Sequence, residues 1–273
     1  MILGRLTFGL LAIAVLSGLA LAPFWSAARP LESLEALIGA TPLGFWLRGV
    51  HAFSAWGFLL GTVAHLAEVL AKRTERRLRP IVWWRSVALL PIAVLGLLGG
   101  FLMRGDAEAQ AALAVFREVS ATVPIAGRAL GALLLGVPGS DLAPVALHHA
   151  GTFTLLAWLL TAEHGGTPFP DLRATVLAAL GSFAAAGLFP VPLGPPVAPD
   201  GDLLLGPWYL LGLQGALLDL PVAAGWLLPL ALLLAVGLAR HVDGRARAAL
   251  LALAAAWGAG YLALTLRLLL AGR

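Results

Sequence analysis

Long apolar runs separated by short polar segments make up most of this chain of 273 residues. About 20 helical residues cross the hydrocarbon core of a bilayer, and several of the runs reach that length. The pattern therefore predicts an all-α integral membrane protein, a helical bundle with about seven transmembrane helices. The predicted spans cover residues 5–25, 44–71, 86–104, 143–163, 172–190, 221–240 and 246–270.

The first apolar run allows two interpretations. It could be a secretory signal, because Arg5 precedes it and the cleavage-like sequence WSAA follows at residues 25–28. The run is long enough to span a bilayer, however, so we expect a retained first helix. Between the spans, the pattern predicts an amphipathic surface helix within residues 29–44 and interfacial helices broken by Pro124 and Pro138.

Two short loops, residues 71–80 and 240–248, are rich in arginine and lysine. Basic loops remain on the cytoplasmic side of a membrane. With seven spans, both loops lie on that side only if the N-terminus is cytoplasmic as well. We therefore expect an N-terminus inside, a bacterial cytoplasmic (inner) membrane, and segments 104–142 and 190–220 on the outer side.

The composition excludes several classes of protein and of metal site. Apolar residues make up 60% of the chain and charged residues 12%, which excludes an ordinary soluble domain. The net charge of +4 comes from the basic loops and does not indicate a nucleic-acid partner. The chain has no cysteine, so disulfides, thiolate metal sites, iron–sulfur ligands and thioether-linked haem are excluded.

Four histidines within the apolar runs are the candidate functional residues. His51 and His65 are fourteen residues apart, so they share one helix face and lie about 21 Å apart along the axis. His149 and His164 are fifteen apart in the fourth span, which still leaves them roughly on one face. In the predicted topology His51 is level with His149 near the outer surface, and His65 is level with His164 near the inner surface.

Two levels of paired histidines favour two bis-histidine haems, because each porphyrin iron takes one imidazole from each side. Structural imidazoles and a proton relay are alternatives that do not require paired levels. Zinc takes three or four ligands, and each pair supplies two. His148 is an alternative ligand to His149, although its spacing of sixteen residues to His164 turns the two side chains to nearly opposite faces.

Charged residues near the predicted sites suggest supporting roles. Arg48 lies about one turn before His51 and could bind a haem propionate, or it could be an interfacial anchor. Asp171 and Arg173 are weak candidates for quinone or propionate contacts at the inner level. His241 lies in a cytoplasmic loop, where we expect it to be solvated.

These residues resemble the cytochrome b family of cytochrome bc and bf complexes. The sequence GFWLRGVH at residues 44–51 is similar to that family's glycine, arginine and ligand histidine, and the fifteen-residue spacing in the fourth span matches the photosynthetic members. The resemblance implies a di-haem four-helix domain at residues 1–168. It also implies a three-helix domain similar to the photosynthetic complex's small second subunit at residues 169–273.

The second half departs from the family at its outer quinol-oxidation motif. The sequence GPWY at residues 206–209 retains Trp208 and Tyr209, but Pro207 stands where the family has glutamate. A carboxylate there accepts a proton as quinol is oxidised, a role that proline cannot fill. Either Asp202 or Asp219 takes over this role, or outer-site quinol oxidation is altered or absent.

The resemblance implies the redox subunit of a quinol:cytochrome c oxidoreductase-like complex. Two non-covalent b-type haems, ligated by His51 with His149 and by His65 with His164, would carry electrons between quinol and quinone. The implied partners are a Rieske protein and/or a c-type cytochrome, in a homodimer of complexes. An electron conduit without bifurcation is the first alternative, and a haem-free transporter or scaffold is the second.

Overall fold

The computed structural model describes residues 2–40, 43–198 and 203–271, and these residues form helices and loops without any β-strand. We label the helices in chain order. They are α1 (Ile2–Leu21), α2 (Pro30–Ala40), α3 (Gly44–Ala71), α4 (Pro80–Leu102), α5 (Ala107–Ala121), α6 (Gly127–Leu135), α7 (Ala143–Gly165), α8 (Leu172–Leu188), α9 (Leu211–Asp219), α10 (Ala224–Leu238) and α11 (Gly244–Ala271).

Every predicted span corresponds to one helix, so the all-α membrane fold is confirmed. Five helices, α1, α3, α4, α7 and α11, are long and apolar enough to cross a membrane. The helices α8 and α10 are apolar but shorter, with 17 and 15 residues. At 1.5 Å per residue they are roughly 25 Å long, less than the ~30 Å of a bilayer core.

The start of α4 differs from the prediction by six residues. The hydropathy of the sequence suggested a start near residue 86, whereas the helix begins at Pro80. Proline is well suited to the first turn of a helix, where its missing N–H leaves no hydrogen bond unmade. Arg85 is readily accommodated because arginine is a good helix former, and its guanidinium binds the Glu163 carboxylate at 2.6 Å.

The helices divide into two compact units. The first contains residues 1–104 and 141–193, and the second contains residues 105–140 and 194–273. In the first unit α1, α3, α4 and α7 pack as a four-helix bundle, with α8 against α1 and α3. The predicted boundary between two functional domains, residues 1–168 and 169–273, stays a prediction.

Small residues allow α8 to approach α1 and α3 closely. A Cβ atom on Gly9 of α1 would lie 3.0 Å from the backbone of Ala174, and one on Gly49 of α3 would lie 2.8 Å from the Ala186 Cβ. Membrane helices use such small residues because lipid provides little hydrophobic drive for association. These contacts fix the helices that carry the histidines.

In the second unit, side chains fix the helix ends. Asp106 caps α5, accepting hydrogen bonds from the Ala109 N–H at 3.0 Å and the Gly194 N–H at 2.8 Å. Arg117 donates to the Leu135, Gly136 and Val137 carbonyls at the end of α6. This pairing satisfies carbonyl groups that have no partner within the helix.

Candidate functional site

The four histidines meet as two pairs, in the combination that the sequence predicts. The imidazole rings of His51 and His149 have centroids 6.0 Å apart and planes at 79°. Those of His65 and His164 have centroids 5.7 Å apart and planes at 77°. In both pairs one ring comes from α3 and the other from α7. The two levels therefore have nearly the same geometry.

A π-helical turn at residues 148–153 explains how fifteen residues in α7 match fourteen in α3. A π-turn accommodates one more residue than an α-helical turn does. The spacing from His149 to His164 is thus equivalent to fourteen residues of regular α-helix. The roughly 60° offset expected from an unbroken helix is removed, and both histidines of α7 face α3.

His148 points away from both pairs. Its Nδ1 lies 3.0 Å from the Thr152 hydroxyl oxygen, and its ring contacts Phe153 with centroids 6.1 Å apart. The geometry therefore favours His149 as the partner of His51. Only one of the two consecutive histidines can face α3, because neighbouring residues of a helix point about 100° apart.

Backbone carbonyls hold the outer pair. The His51 Nδ1–H donates to the Ala14 carbonyl at 2.9 Å, with the Ser17 hydroxyl 3.3 Å away. The His149 Nδ1–H donates to the Gly96 carbonyl at 2.7 Å. These bonds fix the orientation of each ring and leave both Nε2 atoms available to a ligand.

Side chains, and not backbone carbonyls, face the Nδ1 atoms of the inner pair. The Ser86 hydroxyl donates to the Val82 carbonyl at 2.8 Å, so it accepts from the His164 Nδ1–H at 2.9 Å. The His65 Nδ1 faces the Glu68 carboxylate at 3.5 Å. The other oxygen of Glu68 binds the Lys72 ammonium at 2.6 Å. Of the four imidazoles, His65 alone faces a carboxylate through its Nδ1.

Glycines of α1 and α4 lie directly against three of the rings. A Cβ atom on Gly4 would lie 3.0 Å from the His65 ring, and one on Gly18 would lie 3.0 Å from the His51 ring. Gly100 of α4 has the same relation to His149. Sequence reasoning missed the α1 residues, although Gly4 and Gly18 repeat the fourteen-residue spacing of the α3 histidines.

Each histidine pair has the dimensions of two axial ligands on one iron. A metal–imidazole bond is about 2 Å long, so rings on opposite sides of one ion have centroids roughly 6 Å apart. Within the described residues, no group of three or more histidine, cysteine or acidic side chains is arranged to hold a metal. Two imidazoles therefore suit an iron whose other ligands come from a macrocycle, and not a protein-only zinc site.

Arg48 is buried and bound to the loop that follows α8. Its guanidinium donates to the carbonyls of Val191 and Pro192, the latter at 3.2 Å. In the structure Arg48 therefore ties this loop to the N-terminal end of α3. Its predicted contact with a haem propionate stays a prediction.

The residues proposed for the inner quinone contacts are solvent-exposed. Asp171 caps α8 by accepting a hydrogen bond from the Ala174 N–H at 2.9 Å. Arg173 is exposed in the first turn of the same helix, and His241 is exposed in its loop, as expected. The cap gives Asp171 a structural role that the sequence alone did not reveal.

The outer-site candidates lie in the second unit. Tyr209 is buried, and its carbonyl accepts a hydrogen bond from the Tyr261 hydroxyl, while Trp208 packs edge-on against the Tyr209 ring. Asp219 forms an ion pair with Arg267 at the surface. Asp202 lies outside the described residues.

Comparison with known proteins agrees with this geometry. A family model described as cytochrome b/b6/petB matches residues 1–162. Cytochrome b6 of Tupiella akineta is 25% identical over 139 residues, covering 50% of this chain and 65% of the relative. Cytochrome b6 of Desmonostoc sp. is 22% identical over 160 residues, covering 58% of this chain and 74% of the relative. The chain thus spans about two thirds to three quarters of these relatives.

A solved structure shares the fold. A chain of a structure titled hyperthermophilic respiratory Complex III superposes with a TM-score of 0.71 over 97% of this chain and 82% of that chain. The sequence identity is 20%, so the likeness concerns the fold alone. It extends beyond the residues that the family model matches and includes most of the second half.

Proposed function

This chain belongs to the cytochrome b/b6 family, and we propose that it transfers electrons across the membrane between two b-type haems in a quinol-oxidising complex. Family membership implies a haem protein, and the long apolar helices make it an integral membrane protein. The observation that supports two haems is the presence of two histidine pairs with ring centroids 6.0 and 5.7 Å apart.

We assign His51 and His149 to the outer haem and His65 with His164 to the inner haem. When bound, these groups supply one-electron chemistry at each level. The protein fixes three of the ligand rings through hydrogen bonds to the Nδ1 atoms of His51, His149 and His164, which leaves each of their Nε2 atoms available to the iron. Holding the rings in advance lowers the cost of ordering them when a haem binds.

The spacing of the two levels supports electron transfer across the membrane. Fourteen helical residues separate His51 from His65, which is about 21 Å along α3. That distance is most of the thickness of a bilayer core of ~30 Å. An electron entering at the outer level would therefore cross most of the core by moving between two haems.

The remaining parts of the proposal follow from the family. Quinol would donate electrons on the outer side, one to a Rieske protein or c-type cytochrome and one to the outer haem, and quinone would be reduced at the inner side. Residues 1–168 would hold the haems, and residues 169–273 would complete the quinol site. The complex would be a homodimer in a bacterial cytoplasmic membrane, with the N-terminus in the cytoplasm.

A one-way conduit between quinone and extracytoplasmic cytochromes is the second candidate. Pro207 favours it, since it replaces the glutamate of the outer motif, and Asp219 is engaged by Arg267. A haem-free transporter or scaffold gives no reason for two matched histidine pairs. Family membership also argues against it.

Two measurements test the proposal. Haem extraction from the purified protein should give two b-type haems per chain, and a value of one or zero would contradict it. Quinol added with an inhibitor of the inner site, which keeps electrons from leaving haem b, should then report the route of electrons. Bifurcation predicts extra haem b reduction when the external acceptor is oxidised, whereas a conduit predicts none.

A further inference from the structure

A cleft in the second unit brings a carboxylate to the degenerate GPWY motif. The cleft has a volume of about 80 Å³ and lies between α5 and the segment from Leu204 to Leu217. Gly206 and Pro207 line one side of it, and Glu108 lines the other.

Glu108 is the one ionisable residue among the described residues that line this cleft. It is half-buried, in the first turn of α5. The rest of the lining is almost entirely apolar, including Ala112, Phe116 and Leu213. An apolar cleft with a single carboxylate suits a flat hydrophobic molecule that has a hydroxyl group to deprotonate.

Hydrogen bonds fix the position of Glu108. The Asp106 carboxylate accepts from Ala109 and Gly194, and the Ala107 N–H donates to the Pro195 carbonyl at 2.9 Å. These bonds anchor the residues on both sides of Glu108. The carboxylate therefore projects from a rigid helix start, as a proton acceptor requires for defined geometry.

The opposite wall is held by Gln214. Its amide oxygen accepts from the Gly206 N–H at 2.8 Å, and its amide nitrogen donates to the Leu204 carbonyl at 2.8 Å. Both polar groups of the Gln214 side chain therefore bind the loop at residues 204–206. A neutral amide is also a poor proton acceptor. Asp219 does not line the cleft and pairs with Arg267.

We propose that this cleft binds a membrane hydroquinone and that Glu108 accepts its protons, in place of the glutamate missing at Pro207. The inference rests on the proposed quinol-oxidising function. The quinol O–H bond breaks as a Glu108 Oε–H bond forms, and the carboxyl then releases the proton to water before accepting the second one. The two electrons leave singly, one to an external one-electron acceptor protein and one to the outer haem, and quinone remains.

The test substitutes one carboxylate at a time in the haem-loaded complex. Glu108→Gln should lower the maximal rate of quinol oxidation by at least tenfold, because general bases contribute about 10²–10⁴-fold. Glu118→Gln is the matched control, since Glu118 is exposed on the same helix and does not line the cleft. Decylubiquinol and dimethylnaphthoquinol are the probes, with an external ferric cytochrome as acceptor.

A second pair of variants tests occupancy of the cleft. Ala112→Trp fills the cleft and should raise the KM for quinol severalfold, while Ala114→Trp, on an exposed position of the same helix, should not. Haem content and absorption spectra should match wild type in all four variants. A variant with wild-type haem content and spectra is folded, so a change in its kinetics does not come from loss of folding.

The outcomes distinguish the inference from the function on which it rests. If wild type contains haem but oxidises no quinol, the proposed function fails and the inference fails with it. If wild type oxidises quinol and both Glu108→Gln and Ala112→Trp retain its kinetics, only the inference is overturned. Loss of maximal rate in Glu108→Gln alone, with Glu118→Gln unaffected, supports it.

Discussion

His51 of α3 and His149 of α7 face each other with ring centroids 6.0 Å apart, and each Nδ1 binds a backbone carbonyl of a third helix. The acceptors are Ala14 in α1 and Gly96 in α4, so all four helices of the bundle contribute to this level. The arrangement leaves both Nε2 atoms available to a ligand. A second pair of rings lies 14 residues further along α3, where His65 faces His164 with ring centroids 5.7 Å apart.

The π-turn in α7 should tolerate removal of a residue but not addition of one. Deleting Gly151 shortens the interval between His149 and His164 to fourteen residues, which a regular α-helix places on one face. The deletion variant should keep two haems per chain. Inserting one alanine after Gly151 turns His149 by about 100° and should remove the outer haem. Equal haem contents in the two variants would refute the register argument.

The Ser86 hydroxyl should strengthen haem binding at the inner level. It accepts the hydrogen bond of the His164 Nδ1–H at 2.9 Å. Losing such a partner typically costs 10–100-fold in metal affinity, so Ser86→Ala should weaken retention of the inner haem by about that factor. Haem dissociation to an acceptor protein measures it. Ser17→Ala is the comparison, and its effect should be smaller because His51 keeps the Ala14 carbonyl at 2.9 Å.

Glu68 should lower the midpoint potential of the inner haem. Its carboxylate faces the His65 Nδ1 at 3.5 Å, and a negative acceptor makes an imidazole a stronger donor to ferric iron. Glu68→Gln should therefore shift the reduction equilibrium of this haem severalfold toward the ferrous state in a redox titration. Glu163→Gln, which removes a carboxylate paired with Arg85, should shift it less. A larger shift in the Glu163 variant would contradict the assignment.

Asp219 should be dispensable for quinol oxidation. The carboxylate is about half exposed and ion-paired with Arg267, and exposed ion pairs contribute little to stability. Asp219→Asn should retain the quinol-oxidation rate and haem content of wild type. A tenfold loss of rate with normal haem content would instead identify Asp219 as the replacement for the missing motif glutamate.

Much of the helical architecture could be predicted from sequence because membrane spans and histidine spacing follow simple periodicities. The pairing of His51 with His149 and of His65 with His164 followed from two intervals and a topology, and the structure shows the same pairs. The π-turn could not be predicted from the histidine spacing, since the period of 3.6 residues holds only for a regular α-helix. It removes the offset that the interval of fifteen residues implied.

The groups that hold the rings were harder to predict. The acceptors at Ala14 and Gly96 are backbone carbonyls, which every residue has, so nothing in the sequence distinguishes them. Glu108 is 99 residues from Pro207 in sequence, and its place beside the motif depends on the packing of α5. The sequence contains the fourteen-residue interval between Gly4 and Gly18. Only the structure shows that each of these glycines lies against a histidine ring.

The most direct test of the central claim compares His65→Ala with His148→Ala in haem content and redox titration. The two-level assignment predicts that His65→Ala retains one haem per chain, with the midpoint of the outer haem close to wild type. It predicts that His148→Ala retains two haems, because His148 faces Thr152 and not α3. Two haems in the His65 variant, or loss of a haem in the His148 variant alone, would contradict it.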